Sequence, residues 1–510
     1  MLGNIRYSPC VSFDSLVYAC SRYSYDGKFV VCIGSLCRNI CCRFHHIYNE
    51  ARENYRMATI TGNRISLTPR EMPSRWYNVE ADLPFRVPPM MSPSGYPVTR
   101  QELEPLFPRQ IVEQELNSRS RTFNIPKEVR QAYLQWRPTP MFRAEALEKE
   151  LGTPARLFYK VEGGSPSGSY ESNTAIPQAF YTRQVGAKGI VSGGAGGVWI
   201  SAMGHAASLF GLTSRIYSVR KVNSEDAWGG AYGRVWGVDV QASPSENTRF
   251  GKLEFKQRGP HSGSIATALA EAYEEASLNT DVKFAIPTLM GNTLIHQTIV
   301  GLEAQRQLGA VNEAPDYVIG SIGAGSHFGG LIAPFIPAKI QGRDTRFVAV
   351  EEVSTPSLTR GVYVEESADA AGLMPQVPMY TLGREYSPPG VLAGAMRYHG
   401  VAPIVSALFK EKYIDAVAHG QIESYSAGLL FTRSEGIVLS PHAMYTVKEV
   451  IDQALRAKLS GRAETILFTV TPAVTSESTP YDLLLDGVLN DEQPEETSLK
   501  KSLARFISRN

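Results

Sequence analysis

From Leu157 onward the chain alternates short apolar runs with longer amphipathic stretches. The runs are Leu157–Tyr159, Gly189–Val191, Ser214–Val219, Phe284–Ile286, Tyr317–Ile319, Phe347–Val350 and Thr465–Val470. Runs this short predict strands buried on both faces. Between them, Leu294, Ile295, Thr298, Ile299 and Leu302 recur at helical spacing, the stripe of a helix facing a core. Strand–helix alternation predicts an α/β fold with mostly parallel sheets. No internal repeat is visible.

Upstream the pattern changes. Pro84, Pro88, Pro89, Pro93, Pro97, Pro105 and Pro108 rule out long helices over residues 57–125, since each removes a backbone donor and fixes φ. This stretch reads as an ordered proline-rich arm. Residues 126–151 read as helix, a turn at Arg137-Pro138-Thr139-Pro140, then helix again. Residues 485–510 are polar and read as a frayed tail with a short helix near Leu499–Ile507.

At 510 residues the chain is long enough for two domains and extensions. Fifty-one basic and 50 acidic residues leave a net charge of +1, which argues against a nucleic-acid or acidic-membrane binder. The six cysteines are Cys10, Cys20, Cys32, Cys37, Cys41 and Cys42, so the main body uses neither thiolate nor disulfide. The apolar stretch at residues 29–37 is too short to span a bilayer. The first 56 residues read as a dispensable leader with Met57 as the true start. Two other readings are a targeting leader and a metal cluster of Cys37, Cys41, Cys42, His45 and His46.

Two glycine clusters stand where a strand turns into a helix. The first is Ser192-Gly193-Gly194-Ala195-Gly196-Gly197, ahead of a helix predicted over Val198–Leu209. The second begins Gly320-Ser321-Ile322-Gly323-Ala324-Gly325-Ser326-His327-Phe328. Such turns present backbone N–H groups to an anion; equally, they serve close helix–sheet packing. Neither has Walker spacing, and Phe328 breaks the dinucleotide fingerprint. A third element, Glu162 to Ala175, is a strand end, a serine-rich turn and a helix start, with Ser169 or Ser172 as cap and Asn173 in the first turn.

In this order the elements resemble the tryptophan synthase β chain, and more narrowly its second, longer type. The resemblance runs from about Ser74 to about Gly487. It rests on Trp76-Tyr77-Asn78, Glu104-Pro105-Leu106-Phe107-Pro108, Trp136-Arg137-Pro138-Thr139-Pro140, His296-Gln297-Thr298, Arg397-Tyr398-His399-Gly400 and Ser434-Glu435-Gly436-Ile437-Val438, among others. It implies a two-domain, fold-type II pyridoxal-phosphate architecture with parallel sheets, usually a homodimer with the cofactor between the domains. The corresponding divisions are a leader at 1–72, an arm at 73–129, a smaller domain at 157–298, a larger domain at 130–156 and 299–487, and a tail at 488–510.

The resemblance also marks departures. The family's Schiff-base lysine follows Gly-Ser-His; here the stretch is Gly168-Ser169-Tyr170-Glu171, which puts Glu171 at the lysine. The family's catalytic glutamate falls on Gly193, or on Ser192 in the other register. The phosphate loop becomes Gly323-Ala324-Gly325-Ser326-His327, and Ser440 is the candidate contact for a pyridine nitrogen.

The leading expectation is a pyridoxal-phosphate-independent enzyme acting on an indole-like, amino-acid-like or other aromatic substrate, in specialised metabolism. Glu171, His327 and His399 would be catalytic. Asn173, Gly323, Ala324, Gly325, Ser326 and Ser440 would bind ligand or phosphate. Tyr170, Gly193, Gly194 and Arg397 would line the pocket. No metal and no covalently bound cofactor are expected. One alternative is a tryptophan synthase β-type lyase, converting L-serine and indole to L-tryptophan, with pyridoxal phosphate held non-covalently. The other is a non-catalytic, binding or regulatory homologue. The expected setting is a cytoplasmic homodimer with a small-molecule substrate and neither nucleic acid nor membrane as partner.

Overall fold

The computed structural model describes residues 58–510 apart from 195, 221–226, 260, 262, 392, 474–478 and 508–510. Of the first 57 residues it describes only an antiparallel pair, Ser24–Tyr25 with Lys28–Phe29. The three readings of the leader therefore lie outside the described residues.

All seven predicted strands form. Gly189–Gly194 lies at the heart of a four-stranded parallel sheet, ordered Asp239–Ser243, Thr213–Val219, Gly189–Gly194 and Val282–Ala285. A second sheet has eight strands. Its parallel part is ordered Ile414–His419, Arg346–Glu352, Tyr317–Ser321, Thr465–Val470 and Arg156–Val161. Met141–Arg143, Arg64–Ser66 and Thr59–Thr61 extend it in antiparallel fashion. The central strands Gly189–Gly194 and Thr465–Val470 are buried at every residue, which is why they read as unbroken apolar runs.

Strands that escaped the sequence reading are short or at an edge. Ile414–His419 is an edge strand whose Asp415 pairs with Arg346 at 2.7 Å across the exposed face. Thr59–Thr61 and Arg64–Ser66, which lie within the stretch 1–72 read as leader, belong to the large sheet. The run 126–151 also holds a strand, Met141–Arg143, between the helices Lys127–Tyr133 and Glu145–Leu151.

The long helix Gly291–Ala310 carries the predicted stripe and packs on the helices Ser326–Ile332 and Ser172–Gln184. Its first turn is capped from the proline-rich stretch: backbone N–H groups of Gly291 and Asn292 donate to Glu115 at 3.1 and 2.9 Å. A carboxylate there satisfies donors that a helix leaves unpaired. The tail is not frayed throughout. Helix Glu496–Ile507 docks, with Leu499 buried, Ser502 Oγ donating to the Leu382 carbonyl at 2.8 Å and Arg505 paired with Glu366. Among the described residues no helix is long and apolar enough to cross a membrane.

Candidate active site

Strand Arg156–Val161 leads into a turn made by serines. The backbone N–H of Ser169 donates to Ser165 Oγ at 3.1 Å, Ser165 Oγ donates to the Ser169 carbonyl at 2.6 Å, and Ser167 Oγ lies 2.9 Å from Ser172 Oγ. The N–H of Glu171 donates to Ser169 Oγ at 3.1 Å. These bonds shape the turn ahead of helix Ser172–Gln184 and fix Tyr170 and Glu171 at its mouth; the N-cap position is Glu171, and neither Ser169 nor Ser172 caps the helix as expected.

The second glycine cluster faces this turn. Strand Tyr317–Ser321 ends, Gly325 takes φ +94°, and helix Ser326–Ile332 begins. Gly325 is required there, because that backbone conformation disfavours any side chain. Ser326 Oγ accepts from the Leu289 N–H at 3.1 Å and from Thr288 Oγ1 at 2.9 Å. This ties the turn to the end of the four-stranded sheet.

A pocket opens between the two turns. Tyr170, Glu171, Gly194, Trp199, Thr288 and Gln297 wall one part of it, and residues 323–328 with His442 wall another. The Tyr170 and His327 rings stack, with centroids 3.9 Å apart and planes at 15°. His327 Nε2 lies 3.0 Å from Thr469 Oγ1, and His442 Nε2 lies 3.3 Å from Thr471 Oγ1. Burial pushes His327 down to about 3 and His442 to about 4, and burial also raises the Tyr170 phenol. At neutral pH all three rings are therefore uncharged.

Behind the pocket lies a buried ionic cluster. Arg137 Nη1 donates to Glu303 at 2.8 Å and Nη2 to Glu162 at 2.5 Å, while Nε donates to Asn173 Oδ1 at 3.0 Å. Asn173 Nδ2 donates to Gln297 Oε1 at 2.9 Å, and Gln297 Nε2 donates to the Tyr170 carbonyl at 3.1 Å. Lys160 Nζ is held by Glu303, the Thr139 carbonyl and Gln307, all within 2.9 Å. Its amine belongs to this cluster.

The structure brings together Glu171, Tyr170, Gly194, Gly323, Ala324, Gly325, Ser326 and His327 from the predicted set. It places the others elsewhere. His399 is not in the wall: its Nδ1 lies 3.0 Å from Thr381 Oγ1 and its Nε2 3.3 Å from the Ala368 carbonyl. Asn173 turns its amide to Arg137 and Gln297. Gly193 packs against helix Ile265–Leu278, where a Cβ would overlap the Ala268 carbonyl. Ser192 accepts from Trp199 Nε1 at 2.9 Å and donates to the Ala285 carbonyl at 2.7 Å. Ser440 is the N-cap residue of helix Pro441–Ser460, with Oγ 3.3 Å from His442 Nδ1. Arg397 reaches the Pro388 carbonyl at 3.3 Å.

Gln297, Thr469 and Thr471 were not predicted as site residues. The motif His296-Gln297-Thr298 held a signal for the first; Thr469 lies in a strand read only as core, and Thr471 just beyond its end. No metal was expected. His419, Glu449 and Asp452 do bring ligand atoms within 4.8 Å of one another, but Arg456 and Lys448 already pair with those carboxylates.

A sequence profile of the family "Pyridoxal-phosphate dependent enzyme" matches residues 133–471, which hold both turns and the whole pocket. The chain belongs to that family of enzymes. It is 40% identical over 418 residues to the tryptophan synthase β chain 2 of Thermotoga maritima, covering 82% of this chain and 99% of that one. The corresponding protein of Aeropyrum pernix is 40% identical over 438 residues, 85% and 97% of the two chains. Within the wider family, then, the chain is a member of the tryptophan synthase β chain family. Solved structures show the same fold at low identity. Maize serine racemase matches at TM-score 0.50 and 17% identity over 71% of this chain and 98% of its own. A fungal L-serine ammonia-lyase from Rhizomucor miehei matches at 0.51 and 16% over 69% and 98%.

This membership corrects three expectations. The cofactor-independent function, the doubt over whether the chain is an enzyme and the doubt over pyridoxal phosphate are all overturned by the family match and the 40% identities. The scaffold kept along most of the chain outweighs the departures at Glu171 and Gly193.

Proposed function

We propose that this chain is a pyridoxal-phosphate lyase of the tryptophan synthase β type, joining L-serine and indole to give L-tryptophan and water, with the cofactor held non-covalently. The observation that carries it is the convergence of both turns on one pocket inside the family-matched region.

The residues present suit such a group. The turn 323–325 opens a helix, as phosphate-binding turns do. His327 Nδ1 is buried in the pocket wall with no hydrogen-bond partner, a neutral donor for an anionic oxygen. Thr471 and Ser440 stand behind His442, which lines the same pocket. No lysine lines the pocket among the described residues, and Lys160 is committed to its cluster. This supports a cofactor retained by contacts alone, with Glu171 at the position of the family's lysine. When bound, pyridoxal phosphate supplies the electron sink that makes the substrate α-carbon acidic.

The chain's own groups do the rest. Glu171 exchanges a proton with the substrate amine or the departing hydroxyl. His327 stays uncharged and donates. Trp199, Phe328 and Tyr170 exclude water. Gln297 and Asn173 hold the Tyr170–Glu171 turn in register. In the same reading the two sheets mark a smaller and a larger domain, residues 73–129 act as the arm, and the protein works as a cytoplasmic homodimer.

The test is direct: protein incubated with pyridoxal phosphate, L-serine and indole, with tryptophan measured by chromatography. Tryptophan formed at rates well above the protein-free reaction supports the proposal. None formed, with the cofactor demonstrably bound, refutes it.

A further inference from the structure

The aromatic stack that lines the pocket has no role in that scheme beyond excluding water, yet it narrows the room between the two turns. Tyr170 lies flat on His327 at 3.9 Å and meets His442 edge-on at 5.7 Å, both favourable aromatic geometries. Its partners are anchored from the end of strand Thr465–Val470 and just beyond, by Thr469 and Thr471. Its backbone is anchored by Gln297. The room left between these walls is about 60 Å³. A cavity that accepts a benzene ring is of the order of 150 Å³. A planar aromatic ring and the Tyr170 side chain cannot share this space in the observed arrangement.

We propose that Tyr170 is a specificity-determining plug: its phenol takes the aromatic place in the pocket, and the pyridoxal ring enters only when Tyr170 rotates off His327. The identity of the ligand rests on the function proposed above; the plug itself rests on the stack and the cavity. The chain then binds through a minor, open state, and the apparent affinity falls by the fraction of molecules open. A stacked aromatic pair is worth enough to hold that fraction to roughly one in ten.

The experiment titrates pyridoxal phosphate, without substrate, into the full chain and its variants Tyr170→Ala, Tyr170→Leu and Tyr170→Phe. Binding is read from cofactor absorbance and from quenching of tryptophan fluorescence. Tyr170→Ala is expected to bind about tenfold tighter, and Tyr170→Phe, which keeps the ring, to bind as the parent does. If circular dichroism shows Tyr170→Ala unfolded, Tyr170→Leu is judged by the same criterion. Measurable binding by the parent with no tightening in the ring-less variants overturns the plug and leaves the proposed function standing. No binding by the parent or any folded variant overturns both.

Discussion

Tyr170 and Glu171 are neighbours in sequence but enter the site by different means. Tyr170 is held by ring contacts with His327 and His442. Glu171 is placed by the serine turn through its own N–H. If Glu171 stands where an amine would tether the cofactor, Glu171→Lys should create a tether. After incubation with pyridoxal phosphate and reduction with borohydride, mass spectrometry of Glu171→Lys should show one cofactor added per chain, and the parent should show none. A parent chain that retains the cofactor covalently would sink the non-covalent reading. Gly323 to His327 and the turn at 163–171 were legible as anion-binding or packing turns, because glycine and serine clusters at strand ends have few other uses. His399 was misplaced because a histidine in a family motif carries no sign of whether it faces ligand or backbone. Here it ties Thr381 to Ala368.

Elements explain the two glycine clusters differently. The cluster at 323–325 is a turn that opens a helix into the pocket. The cluster at 192–197 serves packing first: helix Ile265–Leu278 lies so close to strand Gly189–Gly194 that no Cβ fits at Gly193. Gly193→Ala should therefore lower stability by about 1–3 kcal/mol, as overpacked cores do. Urea denaturation followed by circular dichroism measures this; an unchanged midpoint would show that strand and helix part without cost. Elements were legible where their residues are buried on both faces. Ile414–His419, Met141–Arg143 and the antiparallel pair Val362–Ser367 with Gln376–Thr381 were not, because short or half-buried strands carry no clear period.

Over the whole molecule, burial of histidine couples stability to pH. His296 is fully buried between Thr174 and Gln114 and is pushed down to about 3. His399, also buried, is pushed to about 4. An unfolded chain protonates these rings from about pH 6.5 downward, whereas the folded chain keeps them neutral until about pH 4 or below. Their contribution is complete above pH 6.5 and is lost as pH falls through that window, by roughly 1.4 kcal/mol each at pH 5.5. Glu351 and Glu352, raised by burial to about 7, act in the opposite sense. The informative quantity is thus a difference. His296→Gln should lose about 1.4 kcal/mol less than the parent between pH 7.5 and 5.5 in urea titrations. Equal losses would mean that His296 titrates alike in both states.

Local chemistry settled much in advance: runs of β-branched and aromatic residues made the buried strands, helical stripes made the core-facing helices, and serine and glycine clusters made the turns. These choices depend on neighbours a few residues apart, so one sequence carries them. The pocket is another matter. Gln297, His327 and His442 meet Tyr170 only because two sheets and the Gly291–Ala310 helix bring together positions more than a hundred residues apart. Whether a given histidine donates to a ligand or to a backbone carbonyl, and whether a tyrosine fills a void or lines one, is fixed by that long-range packing. No local pattern in the chain records it.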